Sequence, residues 1–289
     1  MLRENVLSKT IALIGEHYVF VDIAREIIER LRANTSRYLT LSTDEDFASA
    51  ITRDMFEISR DAHLTLTLRQ QSNAVLPPVA KSFLDNGIAL IGITRFPSVL
   101  SGRGTDAIRE ISDAFQHAEH AYAVIIDIRD NPGGDGSSVA LATSYLVPPK
   151  PQLLAIYRYR DGVTPGENWT REKLPREVSA YRPLADKPVC VLVSKDTFSA
   201  AEEFAYNLQQ MKRATIIGER TKGGAHPSKR HLIEGIFVLS LPFAETINPI
   251  SHANWERVGI LPDIECPCSK AMSIARTLLI NLMEKKVNQ

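Results

Sequence analysis

Residues 123–134 read Ala-Val-Ile-Ile-Asp-Ile-Arg-Asp-Asn-Pro-Gly-Gly. The run from Ala123 to Ile128 is almost continuously apolar, too short for a globular helix, and stopped by Pro132 and two glycines. That is the pattern of a strand covered on both faces, as in a parallel sheet between helical layers. Glycines at the carboxyl end of such a strand let amide N–H groups point outward, so Asn131 to Gly134 suits an anion or oxyanion site. An ordinary strand-to-helix turn has the same composition, and the glycines alone do not separate the two readings.

Outward from this stretch, strands and helices alternate. Ile88 to Phe96 reads as a strand. Thr105 can cap a helix carrying Ile108, Ile111, Phe115 and Ala118, and Ser137 to Leu146 is a helix. Val189 to Val193 is a second buried strand, followed by a helix from Ala200 to Met211 and a strand from Ala214 to Ile217. Leu232 to Leu241 fits a late hairpin, and Pro148 to Pro188 is Pro-, Arg- and Tyr-rich and expected to be irregular. Residues 1 to about 68 are helical in period. Asp22 can cap a second helix, Ser42 with Glu45 is a capping-box pattern, and Leu64, Leu66 and Leu68 then alternate with threonines as a strand does. Gln70 to Ala80, with Pro77-Pro78, reads as a connection. The expected architecture is an α/β core, residues 76–289, preceded by a small N-terminal helical lobe, residues 1–75.

The 289 residues are 44% hydrophobic and 24% charged, with 34 basic side chains balancing 34 acidic ones. A neutral chain without a basic cluster argues against nucleic acid or an anionic membrane as partner, and no apolar run approaches a membrane span. Glu4, Lys9 and Glu16 interrupt any secretory apolar region, so a cytoplasmic setting is expected. Cys190 lies in an apolar run and reads as a core residue. Cys266 and Cys268, in Cys-Pro-Cys, fit a redox or metal pair, although no second Cys/His pair supplies zinc spacing. Gly102 to Ala107 matches a dinucleotide-binding pattern, but it does not start at a strand's end. Neither a metal nor a cofactor is expected.

Chemistry concentrates at Ser194-Lys195-Asp196-Thr197-Phe198-Ser199-Ala200-Ala201-Glu202. Ser199 stands at a helix N-cap, with Glu202 three residues on. The same position places a hydroxyl beside free amides and the positive end of a helix dipole, where an alkoxide or tetrahedral oxyanion is stabilised. A nucleophilic serine needs a base. Of the seven histidines, His63 falls where the last N-terminal helix becomes a strand, and His226 lies in the loop Gly223-Gly224-Ala225-His226-Pro227. The spacing does not choose between them. Glu256 sits among apolar residues in Asn254-Trp255-Glu256-Arg257-Val258 and would need a partner.

Together these segments resemble a known family. Asp127 to Gly134 is similar to the D-[LI]-R-x-N-x-G-G segment of the tail-specific, or C-terminal processing, serine peptidases, peptidase family S41. Ser194 to Phe204, followed by Arg213 to Gly224, resembles their nucleophile strand–loop–helix and the next strand. The N-terminal helices, the Gly224-Ala225-His226-Pro227 loop and the Trp255-Glu256 tail are similar to the branch that includes interphotoreceptor retinoid-binding protein repeats.

The resemblance implies a ClpP/crotonase-like α/β core. It implies Ser199 as nucleophile, with the amides of Gly133 and Ala200 as oxyanion hole. Many relatives use a lysine base, but Gly224 occupies that position and Lys222 is two residues away. Tricorn-like relatives use a histidine from the helical lobe and a C-terminal glutamate, positions matched by His63 and Glu256. Ala62 replaces the serine that precedes their histidine, and no PDZ insertion fits between His63 and Ile88. The implied activity is a serine hydrolase, with a peptide or other acyl group as substrate, and His226 is the reserve base. A non-catalytic binder of a retinoid or fatty acyl ligand, and an acyltransferase or cyclase using the same serine, are the alternatives. Oligomeric state is not legible.

Overall fold

The computed structural model describes residues 1–69, 79–84, 87–98, 104–148, 151–160, 166–169 and 184–287. The chain forms two compact units. One gathers Met1–Ala74, Tyr157–Gly166 and His226–Ile247; the other gathers Val75–Ile156, Glu167–Ala225 and Asn248–Gln289. Most of the connection expected at Gln70 to Ala80 lies outside the described residues, as do Gly102 and Arg103 of the dinucleotide-like pattern. So do residues 149–150, 161–165 and 170–183 of the stretch expected to be irregular. What is described of that stretch includes strands β5 (Leu153–Tyr159) and β6 (Gly166–Trp169).

The first unit is helical with a small sheet. Helices α1 (Leu2–His17), α2 (Val21–Ala33), α3 (Thr35–Leu39) and α4 (Asp44–Ser59) lead into strand β1 (Thr65–Leu68). Two caps of this unit differ from expectation. Helix α2 begins at Val21, so Asp22 lies inside its first turn and caps nothing. Thr43, not Ser42, caps α4: it holds the extended backbone an N-cap needs (φ −118°, ψ 162°), and its hydroxyl accepts from the Asp46 amide at 3.0 Å. Helix α4 stops at Arg60 in the left-handed region. The late hairpin is real, with β9 (Ser228–Ile233) antiparallel to β10 (Phe237–Pro242), and β11 (Ala244–Ile247) follows it. It belongs to this unit, because β10 pairs antiparallel with β1 and places Phe237, Leu239 and Leu241 in the same buried cluster as Phe47, Ile51 and Met55.

The second unit is an α/β layer fold. Its six strands run in the order β12-β8-β7-β4-β3-β2. Five are parallel: β3 (Ile88–Ile93), β4 (Ala123–Asp127), β7 (Val189–Val193), β8 (Thr215–Gly218) and β12 (Ile264–Glu265). Strand β2 (Val79–Leu84) adds antiparallel at the β3 edge. One face is covered by α5 (Gly104–His117), α6 (Gly136–Ser144) and α7 (Ala200–Gln210), which pack on Val124, Ile126, Val191 and Val193. The opposite face is covered by α8 (Cys268–Val287), whose Ala271, Ala275 and Leu279 meet Ala123, Ile125, Cys190 and Leu192. Neighbouring residues of β4 and β7 therefore point into different layers, and both must be apolar. This is why the two strands read as unbroken hydrophobic runs.

Ile126 is fully buried in the middle of this sheet. Ile126→Ala should lower the unfolding free energy by about 2–5 kcal/mol. Val258→Ala, at an exposed position, should change it by less than about 0.5 kcal/mol. Urea melts of the two variants check both values.

Candidate active site

In the second unit, two strand ends meet. The turn after β4 and the turn after β7 are laced together by backbone and hydroxyl groups. The Phe198 amide donates to the Asn131 carbonyl (3.0 Å), and the Thr197 hydroxyl donates to the Ile128 carbonyl (2.9 Å). The Ser194 hydroxyl donates to the Arg129 carbonyl. Asn131 is fully buried, and its side-chain amide donates to the Ile93 carbonyl (2.9 Å), tying in β3 as well.

Ser199 and Gly133 face each other across this junction. Ser199 has φ 58° and ψ −125°, a left-handed conformation that non-glycine residues hold only when their surroundings enforce it. A Cβ on Gly133, itself at φ 101°, would lie 2.6 Å from the Ser199 Cβ and 2.9 Å from the Ala200 amide nitrogen. Only glycine fits there. Ala200 is the first residue of α7, where a helix leaves its amide without an intrahelical acceptor. The Gly133 amide donates to the Asn131 side-chain oxygen at 2.8 Å, so any role for it toward an oxyanion requires Asn131 to release it.

Ser199 is the N-cap of α7, as expected. Glu202 accepts the Ser199 amide at 2.8 Å, as a capping box requires. Glu202 does more than cap. Its Oε1 accepts from the Thr221 hydroxyl (2.5 Å) and the Gly223 amide (2.7 Å), and its Oε2 also accepts the Gly224 amide (2.9 Å). Burial pushes the Glu202 carboxyl above the usual range, and these four donors offset only part of that rise. A carboxylate is the form that accepts four hydrogen bonds. The same loop is held from its other side: the Trp255 indole donates to the Gly224 carbonyl (2.9 Å), and Glu256 Oε2 accepts the Ala225 amide (2.6 Å). Lys222, the lysine nearest the family's base position, stacks its ammonium over the Phe198 ring at 4.8 Å.

In the first unit, Asp61 is a buried hub that the sequence reading missed. Its Oδ1 accepts the His63 backbone amide (3.0 Å), and its Oδ2 lies 2.9 Å from His226 Nδ1 and accepts the Tyr18 hydroxyl at 3.4 Å. His226 is 4% exposed and meets the Phe20 ring edge-on, with centroids 5.1 Å apart. Its glycine-rich loop is therefore fixed at this point. The signal for Asp61 was faint, a lone acid between a helix end and a strand, in a position that also suits a surface turn.

The second unit is an α/β fold of the kind found in serine peptidases. Residues 87–266 match peptidase family S41, and residues 3–88 match the N-terminal domain of Peptidase_S41 in eukaryotic IRBP. The chain belongs to peptidase family S41. It is 28% identical over 240 residues to a carboxyl-terminal-processing protease of Synechocystis, covering 78% of this chain and 51% of that protein. It is 24% identical over 239 residues to carboxyl-terminal-processing peptidase 3, chloroplastic, of Arabidopsis thaliana, covering 82% and 43%. The chain thus spans about half the length of such relatives. Among solved structures, a lipoprotein from Streptococcus agalactiae shares the fold at TM-score 0.65 and 15% identity, over 97% of both chains. The tricorn protease does so at 0.61 and 13%, over 98% of this chain and 37% of that one.

Replacing Glu202 with glutamine turns two of the four accepted hydrogen bonds into donor–donor clashes. Glu202→Gln should cost about 2–4 kcal/mol of stability, read as a lowered midpoint in urea. Gly133→Ala should cost about 2 kcal/mol or more, from its left-handed backbone and the Ser199 contact.

Proposed function

We propose that the chain is a serine peptidase that works through an acyl-enzyme on Ser199. The single observation that carries this reading is the forced left-handed Ser199 at the start of α7, with Gly133 packed against its Cβ.

In the proposed reaction, the Ser199 hydroxyl attacks a peptide carbonyl while a histidine takes its proton. The Ala200 amide and the Gly133 amide, released from Asn131, receive the developing oxyanion. Exchanging the Asn131 partner for an oxyanion costs about one neutral hydrogen bond, roughly 1 kcal/mol, against roughly 3–4 kcal/mol of barrier for each oxyanion donor. The leaving amine takes the proton back from the imidazole, and water then releases the acyl group. His63 is the base by its place in the sequence, at the end of the helical segment, and Glu256 is the carboxylate that orients it. A second reading assigns the base to His226, and a specific observation favours it. The buried Asp61 carboxylate at His226 Nδ1 fixes the tautomer whose Nε2 keeps its lone pair.

Acylation by a fluorophosphonate tests the nucleophile and the base together. Wild type should label once, and Ser199→Ala should not label. His63→Ala should slow labelling by about 10²–10⁴-fold, with His226→Ala closer to wild type. The reverse order of the two histidine variants gives the base to His226. Equal labelling of wild type and Ser199→Ala contradicts the proposal.

A further inference from the structure

Strand β12 ends at Glu265 and helix α8 begins at Cys268, so the Cys266-Pro267-Cys268 turn is the hinge between them. The Cys266 amide donates to the Gly218 carbonyl at 2.8 Å, which anchors the first cysteine on the end of β8. The Lys270 amide donates to the Pro267 carbonyl at 2.8 Å, so the chain already curls at the proline. Cysteines two positions apart have Cα atoms at most about 7 Å from one another. That reach overlaps the roughly 4.4–6.8 Å at which disulfides close. Both thiols are partly exposed.

The two sulfurs have different surroundings. Cys268 opens a 20-residue helix with no acidic residue in its first turn. The Arg129 guanidinium donates to the Cys268 carbonyl at 3.0 Å and reaches its Sγ at 4.0 Å. Arg129 is itself held by Asp127, at 2.8 Å from Nε and 2.6 Å from Nη2. A guanidinium nitrogen and the first turn of a helix thus lie beside the Cys268 sulfur. Cys266 lacks both: burial pushes its thiol up, and nearby Cys268 and Glu219 add to the rise. An attacking thiol at a helix start, with a second thiol in different surroundings two residues before it, is the asymmetry that dithiol exchange uses.

We infer that Cys266 and Cys268 form a thiol–disulfide exchange site, modified by low-molecular-mass disulfides such as glutathione disulfide. The Cys268 thiolate attacks one sulfur of the external disulfide. Its S–S bond breaks, one thiol leaves, and a mixed disulfide forms on Cys268. The Cys266 thiolate then attacks Cys268 Sγ, expels the second thiol and closes the Cys266–Cys268 disulfide. Two protein thiols are oxidised, one external disulfide is reduced, and the two cysteine protons end on the two released thiols. Cys190 takes no part. It is fully buried under α8, and burial pushes its thiol up to about 12.

Incubation of the whole chain with glutathione disulfide, acid quenching and peptide mass mapping tests this. The expected result is a peptide spanning 266–268 that has lost two hydrogens, with Cys190 still a free thiol. Cys266→Ser should retain glutathione on Cys268, and Cys268→Ser should react about tenfold more slowly or less. Three results overturn the inference: a wild-type peptide that keeps both thiols free, one that stops at a stable glutathione adduct, or equal rates in the two serine variants. The wild-type readout stands even if a variant folds poorly.

Discussion

A fully buried carboxylate organises the candidate site. Glu202 lies in the first turn of α7, accepts four hydrogen bonds and exposes none of its surface. Burying a carboxylate costs several kcal/mol unless its lone pairs are met. Here the donors come from two segments distant in sequence: the Ser199 amide, and the Thr221, Gly223 and Gly224 groups. The charge can be buried only if the Ser199 turn and the 221–224 loop adopt these positions together. The left-handed Ser199 and the close approach of Gly133 then follow, because the chain between β7 and α7 has no slack left. Trp255 and Glu256 extend the same constraint to the tail of the unit through the Gly224 carbonyl and the Ala225 amide.

The other unit uses the same device with another acid. Asp61 gathers the Tyr18 hydroxyl, the His63 amide and the His226 ring, which come from three separated parts of the chain. A hairpin more than 150 residues downstream completes the apolar core of the N-terminal helices. That unit is therefore not one continuous N-terminal segment, and its hydrophobic cluster includes Phe237, Leu239 and Leu241 of β10.

Strands β4 and β7 were legible because burial on both faces leaves no polar position in them before Asp127 at the end of β4, and few other structures have that signature. Ser199 was legible as a special position because strand, short loop and helix start follow in order. The cap was harder to read. Ser42 and Thr43 are both good caps, and local backbone geometry chose the second. Strand β2 was missed because its sequence, Val-Ala-Lys-Ser-Phe-Leu, lacks strict alternation and gains its partner only from β3. Helix α8 was missed because polar and apolar residues are mixed along Cys268–Val287. The Asn131 hold on the Gly133 amide was not readable either, since the Asn-Pro-Gly-Gly composition fits both a free and an occupied amide.

The central claim is that Glu202 locks the Ser199 turn and the 221–224 loop as one body, and amide hydrogen exchange on the wild-type chain tests it directly. The amides of Ser199, Gly223 and Gly224, all donors to this one carboxylate, should exchange as slowly as those of β4 and β7 and open together with them. Exchange at the rate of exposed backbone at these three positions, while β4 and β7 stay protected, would contradict the account.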